Sequence, residues 1–531
     1  MKELMDSSLI NIQNILKKLF LLFIFLIIVL VIYILLNYFK PLEKIKINNL
    51  LYEDIQSISI DGMLFRDLNK NNILDSYEDY RLDAETRSDD LLSQMNLEEK
   101  IGQMFHPPFT IKPDFWMLLY EIAIRGNKLP ETQILVDHIS HFNLYGNPAP
   151  KELAKKINHF QKIASKTRLG IPITISSDPI HEVPKGGGVA SFSVDGFSKW
   201  PSQLGFAATN DPKIIKEFAE IVKSEYLAVG IRTALHPMSD LATEPRWARN
   251  FGTFGSNVNL SSKMTISYMD GFQGDAINEN SVLTMVKHFP GGGPQEEGYD
   301  PHLFSGRNQT YPGNNFDYHL EPFKKAIKNN LRVIMPYYGI PIGQTDEDVA
   351  MAFNRYILTD LLREELGFNG VICSDWGIIT GRHWGVGNLS IEERYAKSIY
   401  AGIDQYGGEN DTSYLINLVM SNKISEKRIN ESVKRILINK FELGLFDAPY
   451  VDEAEVKNKV NTKEYIDAGL EAQRKSIVLL ENNGVLPLKE NTKIFVDGLN
   501  KNVGKRFGTL VEDPADAEVV IMYVHTVFNG N

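Results

Sequence analysis

Reactive side chains gather where short apolar runs end. Val371-Ile372-Cys373 runs into Ser374-Asp375-Trp376-Gly377, residues 171–176 run into Asp178, and residues 332–335 run into Tyr338. Lys287-His288-Phe289-Pro290 follows the apolar run 282–286 and opens onto Gly291, Gly292 and Gly293. A carboxylate at the end of a buried strand suits nucleophilic or acid/base work. An adjacent Lys–His pair offers donors to sugar hydroxyls or to a phosphate, and the glycines let backbone come close to a ligand. A nucleotide reading needs a closing Lys-Ser/Thr or a GxGxxG opening a helix, and the sequence has neither. Taken singly, each residue also has a plain structural role. Asp375 would cap a helix, Arg249 would pair with a helix-end acid, Met335 and Tyr338 would be core, and Trp376 would fill a rim.

Another set lies near the N-terminus. Asp67, Asn69, Asn71, Asp75 and Glu78 place side-chain oxygens at positions 1, 3, 5, 9 and 12 of a loop, the EF-hand pattern for Ca²⁺. Asn72 stands where glycine usually makes the turn, and no long helices flank the loop. A structural Ca²⁺ is one reading, and a solvated turn held by Asx hydrogen bonds is the other.

The elements that must position these groups follow from periodicity. Residues 358–366 read as a helix stopped by Gly367, and a strand and Asp375 follow. Helix, glycine, strand and terminal carboxylate is the grammar of a parallel barrel, whose chemistry sits at the C-terminal strand ends. Asp211-Pro212 opens another helix, Ile214, Ile215, Phe218, Ile221, Val222 and Tyr226 form its apolar stripe, and Gly230 ends it. Strands are expected at 171–176, 231–235, 282–286, 332–335 and 371–373, and helices at 83–104 (interrupted near Asn96 and Glu99), 320–329 and 425–443. Repeated βα units predict a (β/α)8 TIM-like barrel over 83–446, with an open doubly wound sheet as the runner-up. After a polar linker, 447–461, residues 462–531 read as the incomplete start of a second α/β sandwich domain.

Composition narrows the function classes. The 531 residues are 43% hydrophobic and 23% charged, which is ordinary for a globular protein, and the net charge of −11 argues against nucleic-acid binding. Cys373 is the single cysteine, so the fold has no internal disulfide. Residues 19–36 are uncharged and almost wholly aliphatic or aromatic; at 1.5 Å per residue they reach about 27 Å, near the roughly 30 Å of a bilayer core. No small-residue cleavage site follows. The expectation is one transmembrane helix, 19–39, after a cytoplasmic stretch, 1–18, and before a linker, 40–82, that carries the EF-hand-like loop. Lysines are balanced across the span, so charge leaves its orientation open.

Taken together, Lys287 to Gly293 and Ser374-Asp375-Trp376 resemble glycoside hydrolase family 3. The strand end at Ser177-Asp178-Pro179-Ile180-His181, the segment Glu244-Pro245-Arg246-Trp247-Ala248-Arg249-Asn250 and the stretch Met335-Pro336-Tyr337-Tyr338 are similar to further marks of that family, in the family's order. The resemblance covers residues 65–530. It implies a retaining, exo-acting β-glycosidase, β-glucosidase-like, that needs no catalytic cofactor and removes terminal sugars from β-linked oligosaccharides. Asp375 would be the nucleophile. Asp178, Arg249, Lys287, His288, Met335, Tyr338 and Trp376 would surround the terminal sugar. The general acid is where the sequence departs from the two-domain members, which use a glutamate of the second domain. A branch acting on N-acetylhexosaminides uses an Asp-x-His pair instead, and Asp300-Pro301-His302 stands in that region, after a longer spacer than the branch shows. The resemblance leaves open an N-acetyl-β-hexosaminidase, a glycoside phosphorylase, or an inactive carbohydrate-binding remnant. It also implies an extracytoplasmic body held to the lipid bilayer by the N-terminal helix.

Overall fold

The structure, a computed structural model, describes residues 14–33, 54–111, 128–182 and 193–524. The expected segments 1–18, 19–39, 40–82 and 462–531 therefore fall partly outside the described residues. Asn14–Tyr33 is one helix of 20 residues with mean hydropathy 3.0, long and apolar enough to cross a membrane. The chain divides into two compact units, Met1–Ser476 and Ile477–Asn531.

In the first unit, an antiparallel hairpin of β1 (Gln56–Ile60) and β2 (Met63–Asp67) leads into the Asp67–Glu78 loop. The strands that follow are β3 (Phe105–His106), β4 (Pro108–Thr110), β5 (His141–Tyr145), β6 (Thr174–Ser177), β7 (Ile231–Ala234) and β8 (Leu283–Phe289). They continue with β9 (Asn308–Gln309), β10 (Val333–Pro336), β11 (Ile340–Pro341), β12 (Val371–Ile372) and β13 (Tyr406–Gly407). A parallel sheet joins β4, β5, β6, β7, β8, β10 and β12 side by side in chain order. At its two ends, β3 pairs in parallel with β13, and Cys373 bridges in parallel to Gln405. The pair β9–β11 stands apart as a small side ribbon.

Sheets covered on both faces need continuous apolar strands, and all seven residues of β8 are buried. The covering helices end where the sequence signals place them. Asp211 caps Pro212–Val229, which Gly230 closes at φ +92°. Tyr356–Glu365 winds as a π-helix, and Gly367 ends it at φ +68°. Asn96 and Glu99 form a capping box that divides the expected 83–104 helix into Ala84–Gln94 and Leu97–Gln103.

Two differences matter for function. β8 runs on through Phe289, so Lys287 and His288 belong to the strand rather than to the loop after it. The short strands β3, β4, β5 and β13 carry no long apolar run, and periodicity does not reveal them. The helix Lys463–Lys475 lies in the first unit, where Gln473 Nε2 donates to the Lys199 carbonyl at 2.9 Å. The second unit is a parallel sheet with β14 (Lys493–Asp497) between β15 (Thr509–Leu510) and β16 (Val519–Met522).

Candidate active site

The ends of β6, β8, β10 and β12 bring the expected sugar ligands together. Asp178 follows β6, and its Oδ1 accepts a hydrogen bond from Lys287 Nζ at 3.0 Å. Its Oδ2 accepts from Asn143 Nδ2, on β5, at 3.2 Å. All three side chains are buried, so this ion pair is weakly screened. Met335 pairs in register with Lys287 across β10 and β8 and therefore faces the same side of the sheet.

Asp375 lies just past β12. Its Oδ1 accepts from the backbone N–H of Trp376 at 2.8 Å. Its Oδ2 is buried and accepts no hydrogen bond from the described residues. His288 Nε2 lies 3.9 Å from Oδ2, beyond hydrogen-bond reach. Burial first, and then the Asp375 charge, push the Tyr338 hydroxyl well up, so it stays protonated and donates to the Trp376 carbonyl at 2.8 Å. The Trp376 ring packs 5.4 Å from His106 of β3. A Cβ on Gly407 or Gly408 would fall 2.6 Å or 2.8 Å from a Trp376 ring atom or a neighbouring backbone atom, so β13 makes room for that ring with glycines.

Arg249 is buried and donates to the Tyr337 hydroxyl at 3.1 Å. Burial works against its charge, but the fields of Tyr337, Asp300 and Asp375 outweigh it and hold the guanidinium firmly protonated. Asp300 Oδ1 meets His302 Nδ1 at 2.5 Å and the His302 backbone N–H at 2.9 Å. Its Oδ2 accepts from Trp247 Nε1 at 2.9 Å and from the Tyr337 hydroxyl at 3.3 Å. Burial pushes the Asp300 carboxyl up, but the hydrogen bond and charge of His302, with Arg249 behind them, hold it well below the carboxylate range. The His302 ring lies 4.8 Å from Tyr338, edge to face, so the Asp-x-His pair faces the Asp375 side of the site.

His288 is held by a residue that sequence reasoning misses. Asp240 Oδ2 meets His288 Nδ1 at 2.8 Å, and its carboxylate also accepts the backbone N–H groups of His288 and Gly292. Nothing around Pro237-Met238-Ser239-Asp240 marks this carboxylate except its place after β7. The glycine run makes room for neighbouring parts of the chain. A Cβ on Gly292 would sit 2.8 Å from Asp240 Oδ1 and 2.9 Å from the Tyr337 ring, and one on Gly293 would sit 1.7 Å from the Leu241 carbonyl oxygen. These glycines admit the protein's own Asp240–Leu241 segment and Tyr337.

The Asp67–Glu78 loop is knit by its own groups. Asp67 accepts the N–H groups of Asn71 and Asn72, and Asn69 and Asn71 both donate to Asp75 Oδ2 at 2.7 Å. Glu78 accepts the N–H groups of Leu68, Asn69 and Asp75. Among the described residues, no three His, Cys, Asp or Glu side chains converge as a metal-holding group. The Asx-turn reading describes this loop as it stands.

Residues 96–438 match the glycosyl hydrolase family 3 N-terminal domain. The chain is 44% identical over 471 residues to a probable beta-glucosidase C of Aspergillus oryzae, covering 85% of this chain and 73% of that protein. It is 38% identical over 500 residues to a periplasmic beta-glucosidase/beta-xylosidase of Dickeya chrysanthemi, covering 89% and 76%. Among solved structures, a mutant beta-glucosidase from Listeria innocua in complex with laminaribiose aligns at TM-score 0.66 and 24% identity, over 84% of this chain and 61% of that one. The chain thus spans less than two thirds of that structure's length.

Proposed function

The chain belongs to glycosyl hydrolase family 3 and is a β-glucosidase-like glycoside hydrolase, and from that premise we propose that it is a retaining exo-β-glycosidase working through a glycosyl ester on Asp375. The observation that carries this reading is the buried Asp375 Oδ2, which accepts no hydrogen bond from the described residues and whose carboxylate acts electrostatically on His288, Arg249 and Tyr338. A carboxylate that has no donor on one oxygen is available to attack an anomeric carbon. Asp178, Lys287, Arg249 and His288 bind the hydroxyls of the terminal sugar, and Met335 and Trp376 form its apolar walls. Substrate hydroxyls compete for the Lys287–Asp178 pair, so binding reshuffles an existing network instead of filling an empty one. The strand pairings that link β12 to β13 and β13 to β3 support closure into a (β/α)8 barrel, with the site at its C-terminal rim.

Retention needs a second group about 5–5.5 Å from the nucleophile to protonate the leaving oxygen and then activate water. His302 takes this role with Asp300 behind it. The Asp300 carboxylate holds Nδ1, leaving Nε2 to exchange the proton. That same pair favours a second reading, an N-acetyl-β-hexosaminidase. Turnover of aryl β-glucoside, β-xyloside and N-acetyl-β-glucosaminide by the full chain separates the two.

Incubation with an activated 2-fluoro glycosyl donor followed by peptide mass analysis should find the label on Asp375, with activity lost in step. Label on another carboxylate, or turnover without labelling, overturns the assignment. The same reading places the body outside the cytoplasm on a single-pass Asn14–Tyr33 anchor, supported by that helix's hydropathy and by the periplasmic relative. Release of the protein from membranes by alkaline carbonate would contradict the anchor. Structural Ca²⁺ at Asp67, Asn69, Asn71, Asp75 and Glu78 is supported by the donor spacing alone. A melting temperature unchanged between calcium and chelator removes it.

A further inference from the structure

His288 is buried, and its two ring nitrogens face two carboxylates. Nδ1 is 2.8 Å from Asp240 Oδ2, and Nε2 is 3.9 Å from Asp375 Oδ2. Which nitrogen carries the proton decides what the site presents to a sugar. Burial, then the Arg249 and Lys287 charges, keep the ring neutral against the pull of Asp375, so it bears one proton only. Burial raises the Asp240 pKa to about 6, and its backbone hydrogen bonds and the Arg249 charge oppose that rise. Both of its oxygens accept backbone N–H groups, the arrangement of an ionised carboxylate. An ionised carboxylate only accepts, so the single proton belongs on Nδ1.

We infer that Asp240 is a positioning residue of the reaction: it locks His288 in the Nδ1–H tautomer, so that Nε2 accepts a substrate hydroxyl and leaves Asp375 Oδ2 unmasked as the nucleophile. The opposite tautomer would put an N–H donor in front of Oδ2. A small ring shift would then close 3.9 Å to a hydrogen bond, which stabilises the carboxylate and blunts its attack. Asp240 is itself over-determined, which suits a lock. It accepts the His288 and Gly292 backbone N–H groups, and the Gly292 position admits no side chain beside it. The Tyr337 ring, 4.3 Å from the His288 ring, restrains its tilt. Orienting a histidine through its far nitrogen is how carboxylates commonly set tautomers in catalytic and metal sites.

This inference rests on Asp375 as the nucleophile and His288 as a hydroxyl ligand, and the experiment keeps the two apart. Long-range ¹H–¹⁵N spectra of the full chain with labelled histidine, assigned against His288→Gln, should show His288 protonated on Nδ1. An Nε2–H pattern overturns the proposal even if no Asp240 variant folds. Asp240→Asn offers an amide N–H to Nδ1, forces the other tautomer, and should lower kcat/KM by about 10–100-fold, mostly in kcat, with a cooperative melt retained. In the His288→Ala background the same substitution should cost under about 3-fold more, because Asp240 acts through His288. An additive loss there, or an Asp240→Asn enzyme within about 2-fold of the unaltered one, overturns the inference. Activity surviving in Asp375→Ala would instead remove the nucleophile assignment beneath it.

Discussion

Replacing His302 with alanine tests the acid/base half of the chemistry. The ring is largely buried, and its removal deletes the 2.5 Å contact with Asp300, yet Asp300 keeps Trp247 Nε1 at 2.9 Å and the Tyr337 hydroxyl at 3.3 Å. A carboxylate left with two donors and the nearby Arg249 charge is not orphaned. Loss of one charge-assisted hydrogen bond costs about 1.5–3 kcal/mol, inside the roughly 5–15 kcal/mol stability of a domain, so the variant should fold. The rate effect should be larger. A positioned general acid contributes about 10²–10⁴-fold, or roughly 2.7–5.4 kcal/mol at 1.36 kcal/mol per decade. The assay is kcat/KM across aryl β-glucosides of rising leaving-group pKa. Alkyl and unsubstituted phenyl leaving groups need the proton and should show the full loss. A dinitrophenyl group leaves as a stable anion and should lose less than about 10-fold. An equal loss across the series, or a loss below about 3-fold for the poorest leaving group, would refute His302 as the acid.

Three further outcomes follow from the same geometry. Lys287→Met leaves the buried Asp178 carboxylate, among the described residues, with Asn143 Nδ2 as its side-chain donor, which should destabilise the fold by about 3–5 kcal/mol. Adding Asp178→Asn should recover most of that stability in denaturant melts without restoring turnover, and a single variant that melts with the parent counts against the ion pair. Gly293→Ala forces a Cβ to within 1.7 Å of the Leu241 carbonyl and should abolish folded expression, whereas Gly313→Ala, with nothing closer than 3.8 Å, should be silent. Asp300 has its folded pKa held below its ordinary 3.8. Its contribution to stability is therefore complete above pH about 4 and disappears as pH falls further through the folded value. Unfolding free energy measured from pH 5 to pH 2 should fall less steeply in Asp300→Asn, and parallel curves would contradict this.

Local sequence signals carried much of the scaffold. The caps and stops at Asp211, Gly230 and Gly367 are read from side-chain chemistry and backbone freedom alone, and the structure shows Gly230 and Gly367 in the left-handed region. They work because a cap acts within one turn of its own residue. The short strands β3, β4, β5 and β13 escaped the sequence reading because two to five residues in a buried parallel sheet carry no period of their own. What makes β3 and β13 strands is the partner across some 300 residues of chain, Phe105 beside Tyr406.

The site divides in the same way. Residue type and position after an apolar run were enough to nominate Asp178, Lys287, His288, Tyr338 and Asp375, since a parallel α/β sheet brings its C-terminal strand ends to one side. Those signals could not say what each side chain does there. The glycines after His288 read as a ligand cradle, and in the structure they admit Asp240, Leu241 and Tyr337. The five oxygens of the Asp67–Glu78 loop have calcium spacing, and in the structure they bond to the loop itself. Asp240 had no mark at all, because its role exists only when β7 and β8 lie side by side and Nδ1 of His288 comes within 2.8 Å of it. The sequence by itself determined which groups are available and the order in which the strands present them, because these depend on neighbours along the chain. Only the tertiary structure decided which donor meets which acceptor, because a hydrogen bond is set within a few tenths of an ångström by residues far apart in sequence.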